Sequence, residues 1–344
     1  MTTADSFMRV INFATPAGQQ KPSQDNPADI VVDEVPRPHP EPHEVLIRVA
    51  AAGINADDIH QRVGNYPPPP GASEVPGLEV SGTVEDRGSE AHGWDHGAEV
   101  CALLAGGGYS EYVAVDARHV LPVPASVPLI DAGGLIEVAA TCWANLAMQA
   151  GVGRGDWVLV HGGTGGIGQF AIQLLNAIGA APVVTVGSEQ KAALARELGA
   201  RAVVNYRDED FVERAGEITG GHGVDVILDV VGGAYLEQNV KALAKGGRLV
   251  TIGLQGGGKG TLPFARLMAK RAWVTGTFLR SRSADEKAEV IQQVRQHVWP
   301  LIEAGRIRIS TERTFPFAEA AGAYDVFHAA DRTGKLVLTP GTGG

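Results

Sequence analysis

The stretch Val158-Leu159-Val160-His161-Gly162-Gly163-Thr164-Gly165-Gly166-Ile167-Gly168-Gln169-Phe170-Ala171-Ile172-Gln173-Leu174-Leu175 decides the fold. It opens as a short apolar run of strand character. Gly163, Gly165 and Gly168 then fall at G-x-G-x-x-G spacing. Ile167, Phe170, Ala171, Leu174, Leu175 and Ile178 recur at helical intervals, and Gly179 is placed to stop the helix. A strand, a glycine turn and a helix in that order put a dinucleotide pyrophosphate at a helix N-terminus, where free N–H groups and the positive dipole end meet negative charge. In this reading Gly163 makes the turn, Gly165 lets the backbone approach the phosphates, and Gly168 lets the helix pack. The cofactor contacts expected here run through Gly163, Thr164, Gly165, Gly166, Ile167 and Gly168. The motif alone is weak in a chain with 45 glycines; its flanking strand and helix give it weight.

Outward from this stretch, strands and helices alternate. Strands are expected at Trp157–Val160, Pro182–Val186, Ala202–Asn205, Asp225–Val231, Arg248–Ile252 and Ala272–Thr277. Helices are expected at Gly166–Ile178, Glu189–Leu198, Phe211–Thr219, Ala234–Leu243 and Ala284–Ala304. That rhythm predicts an α/β doubly wound parallel sheet. The first 120 or so residues read differently, as short strands between glycine-rich turns: Met8–Phe13, Glu44–Ala50, Val80–Val84, Glu99–Leu104 and Ser110–Val115. Gly53–Arg62 is a turn leading into a short helical patch, and Tyr66–Gly71 carries four consecutive prolines. Leu129–Gln149 has helical spacing. The tail gives a strand (Arg306–Thr311), a short helix (Phe317–Ala330) and a last strand (Lys335–Leu338).

The chain has 344 residues, room for two domains, and a net charge of -10 that argues against nucleic acid or an anionic membrane as the main partner. Two cysteines, Cys101 and Cys142, exclude a disulfide framework and a four-cysteine metal site. With no secretory signal and no apolar run long enough to span a bilayer, a cytoplasmic protein is expected.

The end of the second dinucleotide strand reads the cofactor. An acid there selects NAD, whereas a neutral or basic setting admits the 2′-phosphate of NADP. Here the strand ends in Gly187-Ser188-Glu189-Gln190-Lys191. Gly187 is no acid, Ser188 and Lys191 can meet a phosphate, and Tyr206 can lie against the adenosine end, so NADPH is expected. Ser188 can equally cap its helix, and Glu189 argues for NADH if it turns toward the ribose. His161 is expected in the turn, and Arg280 and Arg282 read equally well as surface charges or site residues.

The order of a β-rich part, a dinucleotide unit and a returning tail resembles the medium-chain dehydrogenase/reductase superfamily. Within it the chain resembles the zinc-independent quinone oxidoreductases, and most of all the p53-inducible quinone oxidoreductase group. The resemblance rests on Gly53-Ile54-Asn55-Ala56-Asp57-Asp58, Gln61 through Gly71, Gly77-Leu78-Glu79-Val80-Ser81-Gly82, Gly106-Gly107-Gly108-Tyr109, Asn205-Tyr206, Gly253 through Gly258 and Phe278 through Arg282. It implies a GroES-like β-rich catalytic domain (1–138, completed by 284–344) and a Rossmann NADPH-binding domain (139–283). It also implies transfer of reducing equivalents from NADPH, lying between the two, to quinones or related conjugated carbonyls. An enone or enal reductase and a non-catalytic NADPH-binding sensor or structural protein of the same fold are the alternatives.

By the same resemblance Asn55 and Thr141 surround the nicotinamide ribose and carboxamide. Tyr66 stacks on the acceptor or donates a proton to it, with Asn55 beside it at the reacting end. Gly253, Leu254, Phe278, Leu279 and Ser281 line the nicotinamide. Zinc-dependent relatives carry a cysteine near Asn55 and a histidine where this chain has Leu78, so no metal is expected. A homodimer through the edge strand Ala272–Thr277 is implied as well.

Overall fold

The computed structural model describes residues 7–15, 21–309, 311–329 and 331–341. The chain divides into two compact units, one formed by residues 1–137, 280–299 and 309–344 and the other by residues 138–279 and 300–308.

The first unit opens with β1 (Phe7–Ala14), β2 (Asp29–Pro36), β3 (Glu44–Gly53), α1 (Ala56–Arg62), β4 (Glu79–Arg87), β5 (Glu99–Leu103), β6 (Tyr112–Asp116) and β7 (Val120–Pro122). The second carries α2 (Ile136–Cys142, its first two residues in the first unit), β8 (Trp157–His161), α3 (Gly166–Ile178), β9 (Ala181–Val186), α4 (Glu189–Glu197), β10 (Ala202–Asn205), α5 (Phe211–Ile218), β11 (Val224–Asp229), α6 (Leu236–Ala242), β12 (Leu243–Thr251), α7 (Phe264–Lys270) and β13 (Trp273–Gly276). The tail adds α8 (Ala284–His297), α9 (Trp299–Glu303), β14 (Thr311–Pro316), α10 (Ala320–His328) and β15 (Lys335–Thr339).

In the first unit β3 is the hub. It pairs antiparallel with β4, β6 and β15, in a sheet ordered β14-β15-β3-β4-β5-β7. The alternation read in Glu44–Ala50 predicts a half-buried strand, but Val45, Leu46, Ile47 and Val49 are all buried and only Arg48 stands out. The strand is therefore covered on both faces rather than on one. Its apolar neighbours Val80, Val84, Val100, Val113, Phe315, Leu336 and Leu338 form the core.

In the second unit all pairings are parallel and the order is β10-β9-β8-β11-β12-β13. Strand order therefore reverses between β8 and β11. In open parallel sheets that reversal leaves a crevice at the carboxyl ends of the strands. Helix α3 begins there, packs Phe170, Ala171, Leu174 and Leu175 inward, and stops at Gly179 in the left-handed region (φ 88°).

Several sequence expectations need correction. The helix expected over Ala284–Ala304 is two helices, because Pro300 cannot donate to a carbonyl one turn back and the chain restarts at Trp299. The span Leu129–Gln149 divides into a tight turn (Asp131–Gly134), α2 and a wider-wound turn over Trp143–Gln149. The strand expected at Arg306–Thr311 starts only at Thr311, with Ser310 outside the described residues. The helix expected over Phe317–Ala330 is a short tight turn followed by α10, and Ala330 lies outside the described residues. Pro16 and Gly18, expected in a loop, lie outside them too. Strand β2 and helix α7 have no counterpart in the sequence reading.

Candidate functional site

The turn from β8 into α3 is made of backbone. The residue with positive φ is Gly162 (76°), one position earlier than the turn expected at Gly163. Gly163 instead lies flat on the neighbouring strand, where a Cβ would stand 2.6 Å from Val184 Cβ. A Cβ on Gly168 would stand 2.3 Å from the Gly162 carbonyl oxygen, so the helix can sit this close only without a side chain there. Thr164 is buried and its carbonyl accepts from Gln169 Nε2 at 2.9 Å. Gly165 is the N-cap, and no side chain caps the helix. The first-turn amides, at Gly166 and Ile167, are donors without intrahelical acceptors, aimed where an anion would lie.

At the end of β9, a Cβ on Gly187 would stand 2.5 Å from the Tyr206 hydroxyl, so a side chain there would require the tyrosine ring to move aside. Tyr206 itself is 46% exposed. Ser188 Oγ accepts from the Lys191 amide at 3.3 Å and caps α4. Glu189 pairs with Arg196 along the same helix at 2.7 Å; its carboxylate is engaged on that exposed face. Thr141 is buried, and its carbonyl accepts from Asn145 Nδ2 at 2.8 Å. Asn145 Oδ1 in turn accepts from the Thr277 hydroxyl. Leu254 and Phe278 are exposed, Gly253 and Leu279 half-buried. His161 is a correction: it closes β8 in the core, 1% exposed, its ring nitrogens bonded to Thr185 and Asn239 and its faces against Phe211 and Tyr235. Burial pulls its pKa down to about 4, leaving a neutral packing residue.

The first unit holds its polar groups in a different way. Asn55, 9% exposed, is the N-cap of α1. Its Oδ1 accepts from Lys335 Nζ at 2.6 Å, and its Nδ2 donates to Glu79 Oε1 at 3.0 Å. Lys335 Nζ also donates to Glu79 Oε1 at 2.6 Å, and Glu79 Oε2 accepts from the Glu137 amide at 3.0 Å. Next to this set, Asp58 accepts from the amides of Asn55 and Gly77 and from the Tyr109 hydroxyl at 2.8 Å. Glu79, Asp58 and Lys335 were not singled out in the sequence as functional side chains; charged residue types at the starts of β4 and β15 and in the first turn of α1 were the only signal.

Arg280 is also buried, 3% exposed. Its Nε donates to the Ala105 carbonyl at 2.7 Å, Nη1 to the Tyr66 carbonyl at 3.2 Å and Nη2 to Gln61 Oε1 at 2.8 Å. Its guanidinium stands 5.4 Å from the centre of the Tyr66 ring. The choice left open for Arg280 thus falls to an interior cation that fixes the proline loop. Burial, with the charges of Asp57 and Glu137, pushes the Tyr66 hydroxyl well above its ordinary pKa. Ser281, one residue on, is exposed and lies in this unit.

Zinc does not fit these donors. Leu78 is apolar and buried, Asn55 offers an amide, and Glu79 already carries the ammonium of Lys335. The Cys101 thiol, pushed up by burial, points at the Leu121 carbonyl.

Two family descriptions match the chain: an alcohol dehydrogenase GroES-like domain over residues 41–125 and a zinc-binding dehydrogenase over residues 166–296. A quinone oxidoreductase of Rattus norvegicus is 29% identical over 340 residues, covering 98% of this chain and 99% of the relative. A mycocerosic acid synthase-like polyketide synthase of Mycobacterium tuberculosis is 32% identical over 310 residues, covering 89% of this chain. The matched region is 14% of that synthase, so the chain spans a small part of the polyketide synthases it matches. Among solved structures, Escherichia coli quinone oxidoreductase complexed with NADPH is similar with a TM-score of 0.84 and 28% identity, covering 96% of this chain and all of the other.

Proposed function

We propose that this chain, which belongs to the quinone oxidoreductase family of medium-chain dehydrogenase/reductases, reduces quinones or related conjugated carbonyls with NADPH and without zinc. The observation that carries the reading is the uncapped start of α3 at the reversal of strand order, beside a second strand that ends in glycine rather than an acid. This cradle fits a dinucleotide with a 2′-phosphate. The amides of Gly166 and Ile167 hold the pyrophosphate. Ser188 Oγ and the Lys191 ammonium meet the 2′-phosphate, and Tyr206 lies along the adenosine. Thr141, Gly253, Leu254, Phe278 and Leu279 hold the nicotinamide end. NADPH supplies the hydride. Asn55 and Ser281 keep the parts that the family resemblance gives them.

Quinones and conjugated carbonyls accept hydride without a Lewis acid, so the protein's share is positioning, water exclusion and the handling of one proton. Tyr66, kept in its O–H form, is the group of the first unit suited to meet the acceptor's oxygen. Along the sheet edge β13, Trp273 and Val274 are exposed, as are Phe264 and Met268 on α7. An apolar edge of this kind supports pairing with a second copy.

The test is the initial rate of NADPH and NADH oxidation with 9,10-phenanthrenequinone, 1,4-benzoquinone and a 2-alkenal, with and without a chelator. Chelator-insensitive, NADPH-preferring turnover is expected. NADPH binding with no acceptor consumed would contradict the reading.

A further inference from the structure

A turn of glycines meets a pyrophosphate well only if something else fixes its backbone, because glycine itself is conformationally free. We propose that Thr185, on the neighbouring strand β9, is the positioning residue of the turn between β8 and α3, with neutral His161 setting the direction of its hydroxyl. This rests on the dinucleotide reading above and not on the nature of the acceptor.

Thr185 is 1% exposed. It meets two consecutive amides of the turn. Its Oγ1 accepts from the Gly162 N–H at 3.3 Å, and its carbonyl accepts from the Gly163 N–H at 3.0 Å. Gly162 is the residue held at positive φ (76°), and its own carbonyl accepts from the Gly165 N–H at 3.3 Å. These three amides are spent within the protein. Those of Gly166 and Ile167 stay turned toward an anion.

The Thr185 hydroxyl has one proton, and His161 takes it. His161 Nε2 lies 2.8 Å from Asn239 Oδ1, which accepts, so Nε2 carries the ring proton and Nδ1 is bare. Nδ1 stands 3.1 Å from Thr185 Oγ1 and accepts its O–H. The lone pairs of Oγ1 are thereby left for the Gly162 amide. A protonated imidazole would offer a second N–H to that same oxygen, and burial keeps His161 neutral. An apolar ring would pack equally well against Phe211 and Tyr235. An imidazole also joins Asn239 on α6 to Thr185 on β9 beneath the turn.

The experiment measures dissociation constants by titration calorimetry for NADPH, NADH and adenosine 2′-monophosphate, the last having no pyrophosphate. The proteins are wild type, Thr185→Val and Thr185→Ser. Thr185→Val removes the hydroxyl and is expected to weaken NADPH and NADH alike by roughly three- to tenfold, the worth of one net hydrogen bond. Binding of adenosine 2′-monophosphate is expected to stay unchanged, and Thr185→Ser is expected to restore both dinucleotides. Hydrogen exchange in the cofactor-free wild type tests the turn without a variant. The Gly162 amide should be protected, whereas those of Gly166 and Ile167 should exchange fast and become protected when NADPH binds. A Gly162 amide that exchanges as fast as that of Gly166 overturns the role of Thr185. So does a Thr185→Val protein that binds NADPH as wild type does, or that loses adenosine 2′-monophosphate to the same extent. Each of these leaves the cofactor site standing. A wild type that binds no dinucleotide overturns the site and the role of Thr185 together.

Discussion

The two units build their polar sites from opposite materials. In the second unit the site is backbone: a glycine turn, the amides at the start of α3 and a strand that ends in glycine. In the first it is buried charge, with Lys335 on Glu79 and Asn55, Asp58 under Tyr109, and Arg280 over Tyr66. Backbone donors at a helix start can receive an anion with little rearrangement and carry no net charge of their own. Buried ions are costly to desolvate and hold only as complete sets, so they fix geometry sharply and fail sharply when one member is lost.

That contrast can be broken at either end. The largest effect is expected from Lys335→Met, which strands Glu79 in the interior. Urea unfolding should show a loss of about 3 to 5 kcal/mol, and a further Glu79→Gln change should recover part of it. A loss under about 1 kcal/mol would mean that the pair is not a unit. Next comes Gly165→Val, which places a branched side chain where the pyrophosphate approaches. NADPH affinity should drop by about 100-fold or more with the fold retained by circular dichroism. Unchanged affinity would move the site away from this turn. The smallest effect sharpens the second unit alone: Lys191→Ala should weaken NADPH by roughly tenfold and leave NADH nearly unchanged. Equal losses for both would remove Lys191 from the 2′-phosphate.

The same contrast governs what was legible in the sequence. The bounds of α3, its stop at Gly179 and the alternation that makes the parallel sheet are all local, carried by spacings of a few residues. The first unit's network is not. Lys335 lies 256 residues from Glu79 and Arg280 lies 219 from Gln61, so no window of sequence holds both partners. Each charge alone reads as a solvated surface residue. Strand β2 and helix α7 were hidden for another reason: neither has a buried residue, so neither imprints a periodic apolar pattern. His161 misled because a histidine beside glycines suggests a turn, whereas its two ring nitrogens are satisfied inside the core by Thr185 and Asn239.

The measurement that tests the central claim most directly is a single turnover. Protein loaded with one equivalent of NADPH is mixed with excess 9,10-phenanthrenequinone in the presence of a chelator, and the reduced nicotinamide absorbance is followed. The account predicts its complete, rapid loss with reduced quinone formed in equal amount. Absorbance that stays bound and undiminished across quinones and alkenals would contradict it.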